Sequence, residues 1–216
     1  MAFIAVGNLK GGVGKTTLAV NLACELASST TRVAVIDADT QETAVEWAQA
    51  GDGLPVSVQA LPLESERDMT AWYRKARAIA QDVDHVMIDL PPHIGAATSA
   101  ALMIADLLLV PVTPSTLDVN AAVRALSLLE EARTARGDGK PACLLVPSRV
   151  DRRTAVGKQA EAMLHELGER VGPAIGQRTA FIDAGALGDF VGRYAPRSTA
   201  DQEIETLAAV VKRMVK

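Results

Sequence analysis

The chain is poor in the residues that build metal and redox centres. Its 216 residues include two cysteines and three histidines. Cys24 and Cys143 each sit inside an apolar segment, with no second ligand at metal spacing. His85, His93 and His165 are scattered along the chain. The cysteines are therefore expected in the core as small apolar residues, and the histidines at the surface or at strand ends. No apolar run reaches the roughly 18 residues that a membrane-spanning helix needs. The start, Met1-Ala2-Phe3-Ile4, has no basic stretch ahead of an apolar one, so no leader is expected and the chain should be cytoplasmic. Positive charge is not in excess. The chain has 22 Lys and Arg against 26 Asp and Glu, for a net charge of −4, which does not by itself point to nucleic acid, although a local patch can still bind it. There is no low-complexity stretch or internal repeat, and 49% of residues are hydrophobic. That argues against disorder and for one compact domain over residues 1–216 with a substantial core.

What the chain does have is concentrated near its start. The apolar run Phe3-Ile4-Ala5-Val6 is followed by Lys10-Gly11-Gly12-Val13-Gly14-Lys15-Thr16-Thr17. Three glycines within four positions let a backbone turn its N–H groups inward around anionic oxygens. At this spacing Lys15 reaches the β- and γ-phosphates of a nucleotide, and the Thr16 hydroxyl can ligate Mg²⁺. A helix over Thr16–Ala27 would aim the positive end of its dipole at the same phosphates. The usual phosphate loop has glycine five residues before Gly14; here that position is Leu9, and a second lysine, Lys10, opens the loop.

Apolar runs alternate with helix-period segments along the whole chain, which predicts an α/β, doubly wound, mainly parallel sheet with helices on both faces. Strands are expected at Phe3–Gly7, Arg32–Asp37, Val56–Ala60, His85–Asp89, Leu107–Val112, Cys143–Pro147 and Ala174–Gln177. Helices are expected at Thr16–Ala27, Thr43–Ala50, Asp68–Gln81, Ala96–Ile104, Asn120–Arg136, Thr154–Val171 and Ala200–Val215. Ligands in such folds sit at the carboxyl ends of the strands, and the acidic motifs fall there. Asp37 ends the second strand with Asp39 just past it, and Asp89 ends the fourth ahead of Leu90-Pro91-Pro92. A carboxylate just past a buried strand is costly unless a cation meets it or a helix terminus uses it as a cap. Asp89 stands where a Walker B acid would hold Mg²⁺ through water.

The loop Lys10 to Thr17 resembles the deviant Walker A box of the ParA/MinD class of P-loop ATPases. Asp37-x-Asp39-x-Gln41 and Asp89-x-Pro91-Pro92 match that family's acidic motifs, with Thr40 where proline is usual. The segment from Ala105 to Asp118, ending Pro114-Ser115-Thr116-Leu117-Asp118, is similar to the strand-five block of short plasmid partition ATPases of the ParF type. The resemblance implies an ATP- and Mg²⁺-dependent sandwich dimer. In it Lys10 would cross the interface to nucleotide held by the other subunit, Asp39 would orient the attacking water, Asp37 and Asp89 would support the metal with Thr16, and Arg149 would lie beside the base. With no intrinsic arginine finger evident, turnover should be slow until a ParB-like or cargo-adaptor protein raises it. In the family, ATP-bound dimers grip nonspecific DNA, so the ATP form is expected on the nucleoid.

With the loop starting at residue 10, no helix-turn-helix domain is expected ahead of it. The last segment has apolar residues at Ile204, Leu207, Ala208, Val211, Met214 and Val215, which is helix period. It fits either a MinD-like membrane-targeting helix or a core-packing helix. The absence of bulky aromatics favours the core, so no stable membrane association is expected. Arg149, Arg152, Arg153, Lys158, Arg178, Arg193, Arg197, Lys212, Arg213 and Lys216 all fall in the last third among interspersed acids, as either a DNA-gripping face or an ordinary solvated surface. Two other functions share the fold and stay open: a membrane-cycling regulator, and an ATP-dependent amidoligase or carboxylase. The cysteine placement argues against the iron–sulfur reductases with the same loop.

Overall fold

The computed structural model describes residues 1–216, the side chain of Thr116 excepted. Seven strands make one sheet among the described residues: β1 (Ala2–Val6), β2 (Val33–Asp37), β3 (Ser57–Ala60), β4 (His85–Asp89), β5 (Leu107–Val112), β6 (Ala142–Pro147) and β7 (Arg170–Val171). Their order is β3-β2-β4-β1-β5-β6-β7, and every pairing is parallel. This is the doubly wound sheet the pattern predicts.

Strand residues alternate between two cores, as the two-residue repeat of a pleated strand requires. Phe3 and Ala5 face one, where α3 (Met69–Ala80), α4 (Ala96–Ile104), α5 (Thr116–Arg136) and α6 (Ala155–His165) pack. Ile4 and Val6 face the other, covered by α1 (Lys15–Leu26), α2 (Thr43–Gln49), α7 (Thr179–Ala186), α8 (Val191–Tyr194) and α9 (Thr199–Met214). Because both faces are covered, β1, β2 and β5 read as unbroken apolar runs rather than alternating ones. Cys24 and Cys143 lie in these cores, and burial raises both thiols, Cys24 to about 12. His93 and His165 are exposed, and His85 opens β4.

The C-terminal segment packs into the core. Ile204, Leu207, Ala208 and Val211 of α9 are buried in the same cluster as Leu18, Leu22 and Leu26 of α1. Ser198 caps α9 by accepting the N–H of Asp201 at 3.2 Å, and Lys212 and Arg213 occupy its last turn, where they complement the helix dipole. The apolar stripe is thus committed to protein, and no helix among the described residues is long and apolar enough to cross a membrane.

Three expectations are corrected. Helix α5 begins at Thr116 rather than Asn120, because Ser115 accepts the N–H of Asp118 and caps it four residues earlier. The helix expected to run to Val171 ends at His165. Gly168 takes a φ of +79° beyond it, and Arg170–Val171 becomes β7 beside β6. The strand expected at Ala174–Gln177 is a single bridge, Val150 to Gly176. The short helices α7 and α8 were not foreseen.

Candidate functional site

Three neighbouring strand ends build the site. The register sets Val6 beside Asp89 and Asp89 beside Asp37, so the chain leaving β1 and two carboxylates stand level at the carboxyl edge of the sheet. Beyond Val6, Asn8 fixes the start of the loop. Its amide nitrogen donates to the carbonyl of Pro111 at 2.8 Å, and its oxygen accepts the N–H of Lys10 at 3.2 Å. Gly12 and Gly14 take φ values of 75° and 91°, the left-handed region that glycine enters without a Cβ clash.

The loop's carbonyls are tied down from three directions. The Lys15 ammonium donates to the carbonyl of Lys10 at 3.0 Å, the Arg149 guanidinium to that of Gly12 at 2.7 Å, and the Ser148 hydroxyl to that of Val13 at 2.7 Å. Its amides are left over. Among the described residues no protein acceptor takes a backbone N–H from Gly11 through Thr17. Gly14, which precedes the first residue of α1, offers no side-chain cap, so the first-turn donors of that helix add to the row. A run of donors at a helix N-terminus, with a lysine beside it, is an anion site.

The acids beneath the loop differ from one another. Asp89 is 2% exposed. One oxygen accepts the Thr16 hydroxyl at 2.6 Å, and the other is buried with no hydrogen-bond partner. Burial pushes this carboxyl up to about 7, against which the Thr16 hydrogen bond and the Lys15 charge act, while Asp37 and Asp39 push it further up. Burial also lowers the Lys15 ammonium, opposed by Asp89 and Asp39. A buried carboxylate oxygen without a donor, next to a threonine hydroxyl, is the donor set that a hard divalent cation completes, so the residues present fit Mg²⁺. Among the described residues no group of three or more His, Cys, Asp or Glu forms a metal cage. A cation here would take its other ligands from water and phosphate, as Mg²⁺ does.

Asp37, expected to support a metal, is met here by backbone amides. Its oxygens accept the N–H groups of Asp39 at 3.1 Å, Ala44 at 2.8 Å and Val45 at 3.3 Å. It caps α2 from beneath the sheet edge, and its amides offset the upward pull of burial on its carboxyl. Asp39 is half-buried at the cavity wall, with one oxygen accepting the N–H of Gln41 at 3.1 Å.

A cavity of about 500 Å³ opens over the loop, a size suited to a small organic ligand. One side is formed by Gly11, Gly12, Gly14, Lys15, Thr16 and Thr17, with Asp39 and Pro92 beside them. The far wall carries Ser148, Arg149, Ile175–Arg178, Phe181, Ile182 and Ile204. Arg149 therefore bridges loop and wall, at a φ of +53°. Lys10 does not point into this space. Its ammonium pairs with Asp118 at 2.8 Å, and Asp118 also accepts the Thr113 hydroxyl.

The loop and the acids at the strand ends carry short motifs, and Arg149, expected beside a base, lines the far wall; the other residues of that wall carry no such motif. Ile175 to Arg178 sit in irregular chain, Phe181 and Ile182 in α7, and Ile204 in α9. Asn8 and Asp118 act on the loop through contacts across more than a hundred residues, which spacing alone does not encode.

The match to known proteins runs through these same parts. The family model described as the CobQ/CobB/MinD/ParA nucleotide binding domain matches residues 4–191. A maintenance of carboxysome distribution protein A from Halothiobacillus neapolitanus is 31% identical over 212 residues, covering 96% of this chain and 95% of that protein. The chromosome-partitioning ATPase Soj of Thermus thermophilus is 28% identical over 239 residues, covering 99% and 96%. In three dimensions the apo McdA of Cyanothece superposes with a TM-score of 0.80 at 19% identity, over 98% of this chain and 99% of that one. The chain belongs to the CobQ/CobB/MinD/ParA nucleotide binding family, as a P-loop ATPase of the ParA/MinD kind that includes chromosome-partitioning and carboxysome-distribution proteins.

Proposed function

We propose that this chain is a positioning ATPase: one ATPase unit that binds ATP with Mg²⁺ in the 500 Å³ cavity, dimerises on it, grips DNA without sequence preference and lets go on hydrolysis, which a cargo-side partner stimulates. The observation that carries the reading is the row of unpaired amides from Gly11 to Thr17 above the buried, unpartnered oxygen of Asp89. A triphosphate and a divalent cation satisfy both at once. Bound Mg²⁺ would neutralise phosphate charge, with Thr16 and Asp89 holding it. Lys15 sits at the mouth of the loop, already released from solvent, to meet the β- and γ-phosphates. The names of the relatives, carboxysome distribution and chromosome partitioning, support cargo that is moved or spaced. The burial of α9 against α1 speaks against using that helix as a membrane anchor.

Asp39 is the residue assigned to the attacking water. It stands at the cavity wall without a cation partner, whereas Asp37 is spent on α2. Asp39→Ala is expected to keep ATP affinity within about threefold and to lower turnover by on the order of a hundredfold, the scale of removing one positioned proton acceptor. It should also accumulate a long-lived ATP dimer, seen by size-exclusion chromatography with light scattering. Hydrolysis at the wild-type rate would remove Asp39 from this role.

DNA gripping is assigned to basic residues of the C-terminal third. Two carry carboxylate partners at the surface: Arg152 with Glu161 at 3.0 Å and Arg153 with Asp151 at 2.8 Å. Exposed pairs of this kind are worth little, so phosphates can replace the carboxylates at small cost. Binding of a nonspecific duplex is expected with ATP and Mg²⁺ but not with ADP or without nucleotide, and to weaken steeply with salt. Equal binding in all three conditions, or none in any, would overturn the DNA-gripping cycle.

A further inference from the structure

The far wall of the cavity is held by a carboxylate that does not line it. Glu203, in the first half of α9, accepts the backbone N–H of Gly176 with one oxygen at 2.9 Å and the Arg178 guanidinium with the other at 2.7 Å. Arg178 lies directly on Gly176: a Cβ there would come within 2.6 Å of its Nε and 2.9 Å of its Cζ. The guanidinium is thus pinned on two sides, by a glycine beneath and a carboxylate at its edge. Backbone bonds fasten the same strip to the exit of β6, with Ile175 donating to Pro147 at 2.8 Å and Gln177 to Val150 at 3.2 Å.

The chemistry of this wall differs from that of the loop opposite. Glu203 already balances the charge of Arg178, so the pair offers little attraction to a phosphate. What remains is a planar, weakly hydrated cation next to Ile175, Phe181, Ile182 and Ile204. Ile182 is 71% exposed, although an apolar side chain facing water gains by being covered. Planar cation and apolar surface together suit the face of an aromatic ring.

We propose that Glu203 is a positioning residue for nucleobase recognition: by clamping Gly176 and Arg178 it sets the base-binding wall, and it makes the docking of α9 a determinant of nucleotide affinity. The inference rests on the reading of the cavity as an ATP site. It assigns the base end to residues 175–182 and leaves the phosphate end to the loop. The clamp belongs to α9 rather than to the sheet, so the last helix contributes to the site through its packing on α1.

The test separates the base from the phosphates by using two probes, ATP and inorganic tripolyphosphate, each with Mg²⁺, measured by calorimetry on the full chain. Glu203→Ala is expected to weaken ATP by about tenfold, the scale of a lost charge-assisted contact, while tripolyphosphate affinity stays within about twofold of wild type. Glu203→Gln keeps an acceptor for the Gly176 N–H but not the ion pair, and should fall between. Arg178→Ala should reproduce the Glu203→Ala loss, and the double variant should be no worse than either single one, as for two residues acting as a unit. Parallel loss of both probes would mean a general weakening of the fold and would overturn the proposal, as would an unchanged ATP affinity or additive single effects. Wild-type protein that binds tripolyphosphate but not ATP would overturn the base wall alone. Failure to bind either probe would overturn the nucleotide reading itself.

Discussion

Lys15→Ala is expected to abolish measurable nucleotide binding, with a loss of on the order of a hundredfold or more. Lys15 is 8% exposed, and burial depresses its ammonium against the pull of Asp89 and Asp39. Its desolvation has therefore been met during folding, and a phosphate arriving there finds a charge with little water to displace. Truncating one member of a buried charged contact costs about 2–5 kcal/mol, and two further losses add to that here. The carbonyl of Lys10 loses the donor that holds it at 3.0 Å, and Asp89 loses its nearest compensating charge. Lys15→Gln separates the two effects, since a glutamine amide can still donate to the loop but carries no charge. It should restore much of the thermal stability lost by the alanine variant and none of the ATP affinity. Titration with a fluorescent ATP analogue beside thermal melting gives both readings. Submillimolar ATP affinity in either variant would contradict the assignment.

Asp89→Asn should stabilise the metal-free protein while removing its response to Mg²⁺. Burial holds the carboxyl of Asp89 up at about 7, well above the ordinary carboxylate range, so ionising it in the folded chain costs on the order of 4 kcal/mol. The folded state holds this proton more tightly than the unfolded one. The cost of ionising Asp89 is therefore absent below about pH 4, grows as pH rises from about 4 to 7, and is complete above that. Urea unfolding of wild type and variant without metal should show curves that meet near pH 4 and separate by several kcal/mol at pH 8, the variant being the more stable. Mg²⁺ with ATP should raise the wild-type midpoint and leave the variant's nearly unmoved, and hydrolysis should be lost. A stability difference that stayed constant across this pH range would show that burial of the ionised carboxylate is not what strains the site. Here the fold gives up stability to keep a reactive group in place.

The parts of this design that were legible in the sequence are those in which local chemistry and local structure coincide. Strands β1, β2, β4, β5 and β6 are buried on both faces, so their apolar runs stand out. The loop from Lys10 to Thr17 needs its glycines because Gly12 and Gly14 adopt positive φ, a requirement visible in composition. Asp89 stands out because it ends such a run. Asp37 was legible as an acid at a strand end, where a carboxylate can face a cation or a following helix, and the amides of Ala44 and Val45 reach it here. The end of α6 differs from expectation because the apolar period continues through Leu167 and Val171, while Gly168 turns the chain and a Cβ at Gly172 would come within 3.2 Å of Leu144. Of the far wall only Arg149 was legible, and that through the family resemblance. The wall's residues owe their placement to Glu203 and to β6, partners distant in the chain.

The three ties on the loop's carbonyls have a thermodynamic consequence. Ser148 and Arg149 come from the exit of β6, and Lys15 from the first turn of α1, so the loop takes its shape when the sheet closes rather than when a ligand arrives. Freezing a residue's backbone costs about 1–2 kcal/mol of conformational entropy. For a loop of this length that sum rivals the whole binding energy of a nucleotide. Because it is charged to folding, occupancy of the site can rise and fall over a cycle without the loop having to order and melt each time.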